Sequence, residues 1–83
     1  MQRIVIVTAL APYQIRVRFA DGVEGTIDLA PLIGQSVFAQ LADPGVFAQV
    51  YVDPITHTVA WPVGIDLCPD TLYADVLAQQ QAA

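Results

Sequence analysis

The chain has 83 residues, 55% of them hydrophobic, with three Lys or Arg against eight Asp or Glu and a formal net charge of −5. That length holds one small domain, residues 1–83, with a single packed core that buries about 60–65% of the unfolded surface. A pI near 4.1 argues against nucleic acid and anionic membrane as direct partners. The single Cys excludes an internal disulfide and suits a reducing cytoplasm, and no apolar run reaches the roughly 18–20 residues that span a bilayer.

Met1-Gln2-Arg3-Ile4-Val5-Ile6-Val7 lacks a small-residue cleavage site and reads as the start of a strand, not as a signal peptide. Arg3 to Leu10 is a near-continuous run of Ile, Val and Thr, the pattern of a strand buried on both faces or centrally placed. Ala11-Pro12-Tyr13 turns the chain. Gln14 to Phe19 alternates, with Ile15, Val17 and Phe19 on one face and Gln14, Arg16 and Arg18 on the other. Val23 to Leu29 alternates again, Val23, Gly25, Ile27 and Leu29 inward.

The faces fix the connection between these two strands. A two-residue loop of Asp21-Gly22 sets Phe19 opposite Glu24 and mixes apolar with charged positions. A three-residue loop, Ala20-Asp21-Gly22, sets Phe19 opposite Val23, Val17 opposite Gly25, Ile15 opposite Ile27 and Arg18 opposite Glu24. A one-residue slip turns every side chain over, so the longer loop is expected, with Gly22 in the left-handed position of a bulged hairpin.

Asp28 to Ile33 has room for one helical turn, closed by Gly34. Ser36 can cap a short helix through Leu41, and Asp43-Pro44 opens another turn or two through Gln49. Phe38, Leu41, Val46 and Phe47 are the residues that would anchor these pieces on the sheet. Val50-Tyr51-Val52 is a fourth strand, Asp53 to His57 a turn, and Thr58 to Trp61 a further strand that Pro62 stops. Gly64 permits a bend, and Ile65-Asp66-Leu67 alternates as a half-buried strand does. Pro69 suits the first position of a helix and Asp70 its positive end. Leu72, Tyr73, Val76 and Leu77 make one apolar stripe, expected to meet Trp61 in the core. Residues 79–83 are polar or small and are expected to fray.

Ala60-Trp61-Pro62-Val63-Gly64-Ile65-Asp66-Leu67-Cys68-Pro69-Asp70-Thr71-Leu72-Tyr73 resembles the signature W-P-N-G-x-D-[LI]-x-P-[DE]-x-L-Y of a bacterial family, domain of unknown function 2442. Phe19 to Leu29 and Phe38 to Phe47 are similar to its other two blocks, in the same order. Trp61, Pro62, Gly64, Asp66, Pro69, Leu72 and Tyr73 carry the match, whereas Val63 stands where the family usually has Asn, a side chain able to cap a turn or touch a partner. The resemblance implies a small α+β fold and brings no catalytic residue with it. Some relatives carry an appended DNA-binding helix-turn-helix, and some are encoded beside another small protein in a layout similar to toxin–antitoxin pairs.

Asp66, Cys68 and Asp70 are spaced by two, so an extended chain would align them, and His57 would complete a Cys–His pair or metal site. Pro69 breaks that alignment, and no second His or Cys fills a ligand set. The expectation is therefore a structural Cys68, a helix-start Asp70, an Asp66 bonded to turn backbone, a solvated His57, and no metal or cofactor. Trp61 reads as a core anchor rather than a ligand-stacking residue. Tyr13, Tyr51 and Tyr73 share no surface, and Arg16 and Arg18 make too small a footprint for phosphate.

The sequence thus predicts an α+β domain, with a mostly antiparallel sheet of about four to six short strands against a C-terminal helix and short central helical turns. Its expected role is non-enzymatic, a cytoplasmic protein-interaction module, regulatory or antitoxin-like. Every cation lies at or before Arg18 and every acid after it. The partner is accordingly expected to be a basic protein docking near Asp66, Asp70 and Asp75, with homo-oligomerisation left open. The alternative is a small enzyme or ligand-binding protein using the Asp66/Cys68/Asp70 region near His57.

Overall fold

The computed structural model describes residues 2–81. Six strands fall into two antiparallel three-stranded sheets. The first joins β1 (Ile4–Leu10), β2 (Gln14–Phe19) and β3 (Glu24–Asp28); the second joins β4 (Tyr51–Val52), β5 (Val59–Trp61) and β6 (Ile65–Asp66). Between the sheets run the short helix α1 (Ala30–Ile33), a 3-10 stretch (Ser36–Ala42) and α2 (Pro44–Phe47), and the chain closes with α3 (Pro69–Gln81). The architecture is α+β, with the strands divided between two sheets.

The β2–β3 hairpin has the three-residue loop. Phe19 N–H donates to Val23 O at 2.7 Å, Gly22 N–H donates to Phe19 O at 3.0 Å, and Gly22 has φ +92°. Val17 stands opposite Gly25, Ile15 opposite Ile27 and Arg18 opposite Glu24. Ile15, Val17, Phe19 and Ile27 are buried. No atom outside the turn lies within 4 Å of a Cβ built on Gly22, so a side chain there meets strain in the backbone alone. Gly22→Val is expected to cost about 1 kcal/mol or more in chemical denaturation, and an unchanged midpoint would contradict the left-handed assignment.

β1 differs from expectation. It is not buried on both faces: Ile4 is buried, Val7 and Ala9 are partly buried, and Val5 and Ile6 are each 51% exposed. No layer covers its outer face, so apolar composition alone misjudged its burial. It is the outer strand of its sheet, although β4 of the second sheet lies alongside it and Ile4 N–H donates to His57 O at 2.8 Å. A register shift between Ile4 and Ile6 lets Ile4 turn inward opposite Phe19.

The central segment follows its caps. Asp43 Oδ1 accepts from Gly45 N–H at 2.8 Å and opens α2, which ends at Phe47 rather than Gln49. Ser36 begins a 3-10 stretch, but Gln35 holds the cap position and no side chain caps it. Leu41 and Phe47 are buried, while Phe38 and Val46 pack at the core's margin.

Trp61 is buried, and its indole N–H donates to Phe47 O at 3.0 Å. Its ring lies 5.8 Å from that of Phe47. It shares one core with Leu72 and Val76 of α3. α3 lies against β3, where Gly25 leaves room for Val76: a Cβ on Gly25 would stand 2.9 Å from Val76 Cγ1. Tyr73 meets Phe19 edge to face at 4.9 Å, and its hydroxyl donates to Asp21 Oδ2 at 2.5 Å, tying the hairpin loop to α3. That bond is the first cause holding the Asp21 carboxyl below its ordinary range and the Tyr73 hydroxyl above its own.

Candidate functional site

The connector from β6 to α3, Asp66-Leu67-Cys68, is a ridge between two clefts, and all three residues line both. Local sequence builds it. Pro62 ends β5, and Gly64, at φ +88°, donates its N–H to Trp61 O at 3.1 Å and reverses the chain. β6 then pairs back, Ile65 opposite Trp61 and Asp66 opposite Ala60. Leu67 is held from both sides: its N–H donates to Val59 O at 3.0 Å and its carbonyl accepts from the Thr58 hydroxyl. Pro69 starts α3, and Cys68 O accepts the N–H of Leu72 at 3.2 Å.

The first cleft, about 720 Å³, is bounded by Arg3, the turn from Ile55 to Thr58, and the ridge from Asp66 to Pro69. His57 is therefore not a plain solvated loop residue. It is half-buried, has φ +58°, donates its N–H to Asp53 O at 2.8 Å and lends its carbonyl to Ile4. The Asp53 carboxylate organises this turn, accepting from Ile55 N–H at 2.7 Å and Thr56 N–H at 3.1 Å, and those bonds lower its pKa. Arg3 joins the cleft because the start of β1 is bonded to His57, a contact across the length of the chain that no local pattern announces.

The second cleft, about 470 Å³, lies between α1, the 3-10 stretch and α3. Leu32, Phe38, Leu67 and Leu72 give it apolar walls, and Asp28, Asp66 and Asp75 line it with carboxylates; among the described residues no Lys, Arg or His does so. Asp28 Oδ1 accepts the N–H of Ala30, the first residue of α1, at 2.9 Å in a local turn, while Leu29 holds the cap position. The sequence reads Asp28 as the start of a one-turn segment and not as a site residue; the corner between β3 and α1 brings its carboxylate to the cleft.

Pro69 divides Asp66, Cys68 and Asp70. Asp66 and Cys68 share both clefts, whereas Asp70 has entered the first turn of α3 and lines neither. Its Oδ1 accepts from Gln2 N–H at 2.9 Å, so it tethers the start of the chain. Asp66 makes no side-chain hydrogen bond to turn backbone among the described residues. Among those residues, no three His, Cys, Asp or Glu side chains stand together as a metal ion would require.

The Cys68 thiol is exposed, and its pKa is lowered first by the backbone N–H of Thr71, then by the Thr71 side chain and the N–H of Asp70. These donors favour the thiolate. Alkylation of Cys68 is expected to reach half its plateau rate at a lower pH than a free thiol does. Mass-spectrometric rates from pH 6 to 10 test this, and a profile coinciding with that of free cysteine would contradict it.

On the open face of the first sheet, Arg18 stands opposite Glu24, but the ion pair is the diagonal one, Arg16 to Glu24 at 3.1 Å. Long side chains on a twisted hairpin reach diagonal neighbours as readily as direct ones. Both partners are about half exposed, so the pair stabilises little. Tyr13 donates its hydroxyl to Ala42 O at 2.7 Å and Tyr73 is bonded to Asp21, so both hydroxyls are engaged within the fold.

Two antiparallel meanders, a terminal helix and a ridge between two open clefts define a small α+β domain. The chain belongs to the family described as "Protein of unknown function (DUF2442)", whose model matches residues 4–77. No curated protein matches it. Among solved structures it is similar to a Nitrosomonas europaea chain described as a "Putative DNA Binding Protein", at 27% identity and a TM-score of 0.67. The similarity covers 75% of this chain and 41% of that one, so the present chain spans less than half of that protein.

Proposed function

We propose that this domain is a non-enzymatic protein-interaction module, of regulatory or antitoxin-like type, that binds a basic protein partner. The observation that carries the reading is the charge beside the ridge: Asp66 and Asp75 border an apolar-walled cleft that no Lys, Arg or His lines among the described residues. Arg16, by contrast, is paired with Glu24 on the open face of the first sheet. A field of that sign steers basic surfaces and repels phosphate, while apolar contacts supply most of the affinity. In longer relatives such a module would link a DNA-binding segment to its protein partner, without touching DNA itself.

The test is association with the partner that co-purifies from the native host, measured at several ionic strengths. The on-rate should fall as salt rises and should fall again in a variant carrying Asp66→Asn with Asp75→Asn. Asp70 is left intact because it tethers Gln2. An on-rate indifferent to both would remove the electrostatic reading, and salt-sensitive binding to generic duplex DNA would replace it.

The second reading is a small enzyme or ligand-binding protein. It is favoured by the first cleft, which gathers Arg3, His57, Asp66 and Cys68. A small molecule that protects Cys68 from alkylation, with the protection lost in His57→Ala, would select it over the first.

A further inference from the structure

The second cleft has a shape and charge that specify more than a basic surface. Its lining comes from α1, the 3-10 stretch and α3, together with Ile27 and Asp28 at the end of β3 and Asp66 of β6. Its apolar side chains, set between two helices and the 3-10 stretch, form the kind of groove that takes one face of a helix. Leu32, Phe38 and Leu67 are each half-buried: they are fixed against the core yet keep apolar surface toward the cleft. The rim holds Asp28, Asp66 and Asp75, none of which has an ion-pair partner among the described residues.

Resting on the reading of the domain as an interaction module, we infer that this cleft seats one face of a cationic amphipathic helix of the partner. Aliphatic residues of that helix at i, i+3 or i+4 fill the space between Leu32, Phe38 and Leu67, and flanking Lys or Arg side chains meet the three carboxylates. Such a segment leaves no carboxylate desolvated without a counter-charge, which an uncharged helix would do.

The probe is a synthetic helical peptide of about fifteen residues with Leu and Lys at amphipathic spacing, and its counterpart with Glu in place of Lys. Each is titrated into the 15N-labelled protein. Amide shifts are expected to be confined to the neighbourhood of Leu32, Phe38, Leu67 and Asp75, with no response to the Glu peptide. Asp66→Lys with Asp75→Lys should weaken binding about tenfold or more, while Glu24→Lys, on the open sheet face, should leave it within about twofold. Shifts centred on Arg16 and Arg18 or on His57, equal binding of both peptides, or no binding at all would overturn the assignment. The co-purified partner separates the two claims. If it binds the Asp66→Lys, Asp75→Lys variant as tightly as the parent, the cleft assignment falls and the module reading stands. If only duplex DNA or a small molecule binds the parent, the module reading falls as well.

Discussion

Trp61→Ala is expected to destabilise the domain by about 3–5 kcal/mol, a loss comparable with the whole stability of a chain this size. Trp61 is 1% exposed and its indole sits beside Phe47, the one buried residue of the short helix α2. Truncation removes the largest side chain of the core and opens a cavity where β5 meets α2. It also removes the indole N–H from Phe47 O, which keeps only the N–H of Val50 at 3.3 Å. A domain with total stability of roughly 4–12 kcal/mol has little margin for that loss. Trp61→Phe separates the parts: it keeps most of the apolar area, loses the hydrogen bond, and should cost roughly 1–3 kcal/mol. Urea denaturation followed by far-UV circular dichroism measures both. An alanine variant within about 1 kcal/mol of the parent would mean that Trp61 does not anchor this core. In the parent, emission characteristic of a water-exposed indole would say the same.

The parts of the fold that were legible in the sequence are those that local rules decide. The hairpin register followed from two alternating faces that only one loop length can match, and Gly22 followed from the register. Pro69 and Asp43-Pro44 marked helix starts because a missing N–H and a capping carboxylate matter only there. What was not legible depends on contacts far apart in the chain. Ile6 and Leu10 are as apolar as Ile4, yet only Ile4 is buried, because the shift at Val5 rotates it inward. The division of the strands into two sheets could not be seen either. β4 and β6 have two residues each, too few to say which strands they pair with, and their pairing is set by β5 and by the bond from Ile4 to His57.

The candidate site divides along the same line. That Pro69 would break the alignment of Asp66, Cys68 and Asp70 was readable, because proline at the start of a helix changes the backbone for every residue after it. That Asp70 would instead bind Gln2, and that Arg3 would face His57, needed the terminus of the chain placed beside the β4–β5 turn. Arg16 rather than Arg18 pairs with Glu24 because twist, not register, decides which of two long side chains reaches. The acidic cleft joins the ends of β3 and β6 to α3, and nothing in the spacing of Asp28, Asp66 and Asp75 announces it.

The seat of α3 on β3 makes the second large prediction. Gly25 lies inward on β3 opposite Val17, and a Cβ there would stand 2.9 Å from Val76 Cγ1 and 3.3 Å from Cγ2. Val76 is fully buried, and a β-branched side chain in a helix is held to one rotamer, so it cannot swing aside. Gly25→Ala must therefore push α3 off the sheet or distort β3, at an expected cost of about 1–3 kcal/mol. This runs against the usual effect of the substitution, since alanine is the better strand and helix former and stiffens the unfolded chain. The clash is testable because it is pairwise. Val76→Ala alone leaves a cavity and should cost about 1–3 kcal/mol, but in that background the new methyl at position 25 fills part of the space that was vacated. The double variant should be more stable than the sum of the two single losses by about 1 kcal/mol or more. Strict additivity would mean that the helix does not rest on Gly25, and the cost of Gly25→Ala would then belong to the backbone of β3 alone.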